Sequence, residues 1–117
     1  MTRLLPVLAA LLLAGPALAQ PIHTVGNVTW HPASYAGKTV AMKGYLLRRE
    51  TGYVIFSDEP RGKLSAHDLP VTGPDIAGLK ADQKYLLTGR FVKGGLAAMN
   101  HNPYHLVLTE APKPLSH

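Results

Sequence analysis

The stretch KTVAMKGYLLRRETGYVIFSD, residues 38–58, decides the fold because it predicts two long antiparallel strands joined by a turn at 50–52. Side chains in its first half alternate with the period of two that is typical of a β-strand. Gly44 lies inside this strand, and a glycine there marks a bend where a side chain would collide with the layer beneath. Such a bend lets one strand belong to two sheets.

The same pattern returns later in the chain. In QKYLLTGRFVKGG, residues 83–95, Gly89 lies between apolar residues at the spacing seen around Gly44. Further strands are predicted at 61–67 and 104–109, with brief pairing of 96–99. The prolines and glycines of 68–81 leave room only for a short helix that begins at Pro74, with Ile76 and Leu79 facing inward. The prediction is therefore an all-β fold with small α content, a five-stranded Greek-key barrel with a short helix or helical turn between strands 3 and 4.

The first nineteen residues differ in kind from the rest. Arg3 supplies a positive charge, an apolar stretch follows, and Ala17-Leu18-Ala19 is typical of a signal-peptidase site. The apolar stretch is shorter than the roughly 20 residues that a membrane-spanning helix needs. We therefore expect residues 1–19 to be a signal peptide cleaved after Ala19, and the mature chain to be periplasmic or secreted, without an integral membrane span.

The rest of the chain is expected to form one small domain. Residues 20–37 are predicted to be an N-terminal arm with a turn at 31–34, 38–110 the barrel, and 111–117 a frayed tail. The chain has no cysteine, so its stability must come from its core. Trp30, the single tryptophan, is expected to close one end of that core.

The mature chain is mildly basic. Without Arg3 its formal net charge is +4, a sign that favours anionic partners but is also common on soluble surfaces.

The order of these motifs resembles the OB-fold, in particular secreted bacterial OB-fold proteins and anticodon-binding-like OB domains. The matching motifs are V-x-M-x-G-Y-L, Y-V-I-F-x-D-x-x-x-G-K-L, Y-L-L-T-G-R-F and H-L-V-L-T, within residues 38–110. The resemblance implies a ligand surface on the second and third strands and the loops beside them. On this chain that surface comprises Tyr45, Arg48, Arg49, Tyr53, Ile55, Lys63 and Ser65, with Lys93, Asn100 and His101 at its rim.

Aromatic faces next to cations can bind a single-stranded nucleic acid, and Tyr45 and Tyr53 flank two arginines across the predicted hairpin. The alternative is that the tyrosines pack and the arginines are solvated. The first hypothesis is thus a monomeric, non-catalytic binding module for an anionic polymer or an envelope protein. A protein-interaction adaptor that pairs through an edge strand is equally compatible with the sequence.

Histidines suggest another hypothesis, a periplasmic copper or zinc protein that uses His101, His105 and Met99. On a continuous strand His101 and His105 would lie roughly 13 Å apart, so they could share an ion only if residues 102–103 form a tight turn. No cofactor is predicted. The sequence also lacks a recognisable nucleophile with an adjacent base or a pair of catalytic carboxylates, so no enzymatic activity is predicted.

Overall fold

The computed structural model describes residues 20–116, so the predicted signal peptide lies outside the described residues. Neither helix in the described part is long and apolar enough to cross a membrane. The elements, in chain order, are β1 (Ile22–Thr24), α1 (Val25–Thr29), α2 (Pro32–Tyr35), β2 (Thr39–Glu50), β3 (Tyr53–Ser57), β4 (Leu69–Thr72), β5 (Lys84–Lys93), β6 (Tyr104–Leu108) and β7 (Lys113–Leu115).

Five strands close into a barrel. They follow one another in the order β2-β3-β4-β6-β5, and β5 returns to pair with β2. β4 and β6 are parallel, whereas the other barrel pairs are antiparallel. Outside the barrel, β1 lies parallel to β2 and β7 lies antiparallel to β5. The predicted all-β, five-stranded barrel of OB-fold type is confirmed.

The long strand β2 is shared between two neighbours, as its sequence predicts. Its first part, from Thr39 to Tyr45, pairs with β5, and its second part, from Tyr45 to Glu50, pairs with β3. The change of partner thus falls next to Gly44. The irregularity in the β2–β3 register lies slightly later, between Leu46 and Arg48.

Gly44 and Gly89 both lie where another part of the chain comes very close. A Cβ at Gly44 would lie 2.8 Å from a methyl carbon of Val25 and 3.1 Å from the carbonyl oxygen of Ser57. A Cβ at Gly89 would lie 2.3 Å from the carbonyl oxygen of Val107. Real Cβ atoms do not approach other atoms so closely, so both positions require glycine for reasons of space.

The N-terminal segment supplies part of the core. Val25 and Val28 of α1 are almost fully buried and join the main hydrophobic cluster inside the barrel. The start of α1 is fixed by Asp58, whose carboxylate oxygens accept hydrogen bonds of 2.9 Å from the backbone N–H groups of Val25 and Gly26. The arm predicted at 20–37 therefore contains one strand and two short helices, with α2 replacing the predicted turn at 31–34.

The third strand was predicted in the wrong place. Residues 61–67 form a loop, because the Asp68 carboxylate accepts a hydrogen bond from the Ser65 N–H and closes a turn there. The third barrel strand is β4, which contains a proline, Pro70, opposite Ile55.

Residues 74–81 contain turns and no helix, so of the two predicted options the single turn is the one observed. One hydrogen bond joins the Leu79 N–H to the Ile76 carbonyl. Leu79 is nonetheless buried in the core and Ile76 packs against it, as the spacing predicts.

Three smaller predictions were also wrong. Residues 113–115 form β7 instead of part of a frayed tail, because they pair with β5. Residues 96–98 form no strand and belong to a loop. Trp30 does not close the core, since its side chain is 63% exposed and α1 fills that role with valines.

Replacing Gly89 with alanine tests the packing at this position. We expect Gly89→Ala to lower the free energy of unfolding by about 2 kcal/mol or more, because the new Cβ would overlap the Val107 carbonyl. Chemical denaturation monitored by circular dichroism measures the change. Gly78→Ala is the matched control, since nothing lies within 4 Å of a Cβ there. Equal effects of the two substitutions on the free energy of unfolding would contradict the conclusion that position 89 requires glycine for reasons of space.

Candidate binding surface

Two residues of the surface predicted on the second and third strands are covered by the chain itself. Tyr53 and Ile55 of β3 are buried and form a second hydrophobic cluster with Ala98, against which Leu64 and Leu96 pack. These last three residues come from the loops 58–68 and 94–103. We call the outer side of β3, β4 and β6 beneath these loops the covered face.

Hydrogen bonds fix both loops over the covered face. The Tyr53 hydroxyl accepts a bond of 2.9 Å from the Met99 N–H. The Asn100 side chain donates to the carbonyl oxygens of Ser65 and Asp68, at 2.9 and 2.8 Å, and so joins one loop to the other. Asn102 donates to the same Asp68 carbonyl. Tyr53 and Ser65 therefore have structural contacts in this arrangement.

Arg49, another predicted ligand residue, is bonded to the loop that follows β4. Its guanidinium donates to the carbonyl oxygens of Ile76, Ala77 and Leu79. These are carbonyls that a helix would have used for its own backbone bonds. An open cavity of about 350 Å³ lies beside it, lined by Arg49, Glu50, Gly52, Tyr53, Val54, Ile76 and Ala77.

The remaining predicted residues of the surface are more accessible. Arg48 is exposed and lies 3.8 Å from the Glu50 carboxylate. Lys63 is exposed in the loop after β3. Tyr45 is half-buried, and the ammonium group of Lys84 lies 5.7 Å from the centre of its ring. The predicted set is therefore not one continuous surface.

The predicted metal ligands differ in their exposure. His101 and Met99 are exposed in the loop before β6, whereas His105 is buried within β6. Nowhere in residues 20–116 do three or more histidine or acidic side chains come together in a way that could hold a metal ion. His105 Nδ1 is buried and has no hydrogen-bond partner among those residues.

An open surface with basic side chains lies on the outer side of β5, of β7 and of the part of β2 that pairs with β5, from Thr39 to Tyr45. Even-numbered residues from 40 to 46 of β2 and odd-numbered residues from 85 to 91 of β5 are buried, so the alternate residues there face outward. We call this surface the basic face. Its cations are Lys43, Lys84, Arg90 and Lys113, and it also carries the aromatic ring of Tyr45.

The register places these cations across and along the sheet. Lys43 pairs with Leu86, and Leu86 pairs with Lys113 on the other side, so the two lysines lie about 10 Å apart. Lys84 and Arg90 lie on the same strand, about 20 Å apart. None of the outward-facing strand residues of this face is acidic; Glu110, just before β7, lies 3.3 Å from the Lys113 ammonium.

Sequence reasoning missed Lys43, Lys84 and Arg90. The signal that could have found them was the alternation in 39–45 and 84–90, which places these residues on the polar side of two strands. The pairing of the two strands, which brings the three cations onto one surface, follows only from the register.

Comparison with known proteins supports the fold. No protein-family model matches the chain, and no curated protein sequence matches it significantly. A protein described as an aspartyl-tRNA synthetase from Leishmania major Friedlin matches 85% of this chain with a TM-score of 0.58 and 9% identity. This chain spans only 21% of that protein. An OBody bound to hen egg-white lysozyme matches over 71% of this chain and 86% of its own, with a TM-score of 0.53 and 18% identity. The chain thus has an OB-fold-like barrel.

Acid should destabilise the protein partly through His105. Burial lowers the pKa of His105 below its ordinary value of 6.5, against a smaller opposing effect of the Gly94 carbonyl. Below that ordinary value the unfolded chain binds a proton that the folded chain resists, so stability falls as pH decreases through 6.5. We expect His105→Gln to flatten this part of the dependence of unfolding free energy on pH.

Urea denaturation between pH 8 and about pH 5 measures the effect, a range chosen to bracket the ordinary histidine pKa. His101→Gln, at an exposed histidine of the neighbouring loop, is the control and should keep the dependence of the unaltered protein. If His105→Gln leaves the slope of unfolding free energy against pH unchanged, the loss of stability in acid does not come from His105.

Proposed function

We propose that the protein is an exported binding module, without catalysis of its own, that binds an anionic polymer through the basic face. The observation that carries the proposal is the cluster of outward-facing cations, Lys43, Lys84, Arg90 and Lys113, on three adjacent strands that contribute no acidic side chain to that surface. Such a surface attracts negative charge over its whole area.

The shape of the face favours a polymer over a small anion. Its cations extend along about 20 Å of strand, which is longer than a small anion can contact at once. Tyr45 adds a ring on which a planar group can stack, next to Lys84, which can meet the neighbouring negative charge. The combination suits a chain whose charges and rings alternate.

Removing two cations of the basic face should weaken binding in a salt-dependent way. We expect the double variant Lys43→Ala, Lys84→Ala to bind heparin and a single-stranded oligonucleotide more weakly than the unaltered protein. For the oligonucleotide, the slope of log affinity against log salt should decrease by about 0.7 for each phosphate that the variant no longer neutralises. Fluorescence anisotropy over a range of salt concentrations measures both quantities.

Lys63→Ala is the control for net charge, compared with the single variant Lys43→Ala. Lys63 is exposed in the loop 58–68, which packs on β3 and does not belong to the basic face, so its removal should leave the slope unchanged. An equal loss of affinity in the control would show that overall charge, and not this surface, determines binding. An affinity that does not change with salt concentration would exclude electrostatic binding of an anionic polymer. Capture of an envelope protein without polymer binding would favour the protein-partner alternative.

The proposal of export has its own test. We expect the protein expressed in a Gram-negative host to be recovered from the periplasm with Gln20 as its first residue, because Ala17-Leu18-Ala19 provides small side chains at the positions that signal peptidase reads. Intact-mass measurement identifies the cleavage site. The variant Ala19→Leu should accumulate uncleaved. Recovery of the uncleaved chain from the cytoplasm would contradict export.

A further inference from the structure

Trp30 is the most exposed of the large hydrophobic side chains described. Its ring is 63% exposed, although tryptophan is strongly buried on average. One face of the indole is stacked on the imidazole of His67, with ring centres 3.5 Å apart and an angle of 15° between the planes. The other face is therefore the one that a ligand could use.

The backbone of His67 is itself hydrogen-bonded, so the residue that supports the indole has a fixed place in its loop. The His67 backbone N–H donates to the Ser65 hydroxyl at 3.2 Å, and Ser65 is bonded in turn to Asp68 and Asn100. His67 belongs to the loop 58–68, one of the two loops that pack on the covered face. A ring that is fixed before binding loses little conformational entropy when a ligand arrives.

Two hydrogen-bonding side chains share the side of α1 from which Trp30 projects. Asn27 and Trp30 are three residues apart, and the Trp30 N–H at the end of α1 still donates to the Gly26 carbonyl, so the helical spacing extends to Trp30. His31 follows the helix and lies beside Asn27 because its ring is hydrogen-bonded to the Asn27 carbonyl at 3.0 Å. The Asn27 amide nitrogen is bonded to His23 Nδ1 and to the Tyr35 hydroxyl, whereas its oxygen accepts no bond from the described residues. His31 Nδ1 donates to the Asn27 carbonyl, so Nε2 of the neutral ring is an acceptor.

We propose that Trp30, together with Asn27 and His31, forms a binding site for one ring of a neutral saccharide. The C–H face of a pyranose would stack on the open face of the indole, whose negative π-face favours polarised C–H groups. Its hydroxyls would donate to the Asn27 oxygen and to His31 Nε2. None of the three residues of this site belongs to the basic face, so the site does not depend on the proposed polymer binding.

The polar groups next to Trp30 distinguish a saccharide from a nucleic acid. A base in a nucleic-acid strand brings phosphates, which need cations nearby, and the groups that Asn27 and His31 offer are acceptors. The cations that make ring contacts in the described residues, Lys84 and Lys93, lie over tyrosines. A neutral ring with many hydroxyl donors matches this chemistry better.

Trp30 is the single tryptophan of the chain, so its fluorescence reports directly on the site. We expect chitotetraose or cellotetraose to change the emission of the purified protein in a saturable way. Calorimetry should give an affinity that falls by at least about tenfold in Trp30→Ala, as for a tryptophan at the centre of an interface. His67→Ala should weaken binding by a smaller factor, because the indole loses its support.

Two controls separate this site from general effects. The double variant Lys43→Ala, Lys84→Ala should bind the saccharides as the unaltered protein does, which distinguishes failure here from failure of the polymer proposal. Circular dichroism should show that Trp30→Ala is folded, as expected at an exposed position. The proposal is wrong if neither saccharide alters the emission at millimolar concentration, or if only a single-stranded oligonucleotide does.

Discussion

The close approach of backbone segments at two glycines is the constraint on which this barrel depends. β5 must reach β2 on one side and β6 on the other, and at Gly89 the carbonyl of Val107 occupies the space that a side chain would need. At Gly44 the carbonyl oxygen of Ser57 and a side-chain methyl carbon of Val25 occupy the corresponding space. Without these contacts β2 and β5 could not each serve two neighbours, and the sheet would retain free edges. A chain with no cysteine has no crosslink to compensate.

Filling the barrel interior determines what the N-terminal segment shows to solvent. Asp58 at the end of β3 binds the first N–H groups of α1, and this fixes the direction in which the helix enters the core. The buried valines then occupy the inner side of the helix. The opposite side, with Asn27 and Trp30, is left at the surface as a consequence. The exposed indole is thus a result of how the core is filled.

The strands were predictable where the local pattern and the tertiary fold agree. The alternation and the glycine in 38–58 and in 83–93 predict β2, β3 and β5 because these features act within a few residues. β4 was missed because Pro70 cannot donate to a ladder and normally argues against a strand between two others. The candidate surface was less predictable. Alternation shows which residues face away from the barrel interior, but it does not show whether a loop then covers them. Here such a loop is fixed over Tyr53 and Ile55 by hydrogen bonds of Asn100. Side-chain direction was therefore predictable, whereas accessibility was not.

Covering one side of a barrel this small limits where it can bind anything large. The second cluster stabilises the loops on β3, β4 and β6, and the same packing removes from solvent the side of the barrel that OB-folds use for ligands. The free energy gained by burying Tyr53 and Ile55 would have to be given up before a ligand could replace the loops. A partner that binds on the basic face meets no such cost, since its cations and the Tyr45 ring are already exposed or only half-buried. The energetics therefore favour the basic face over the face that the fold alone would suggest.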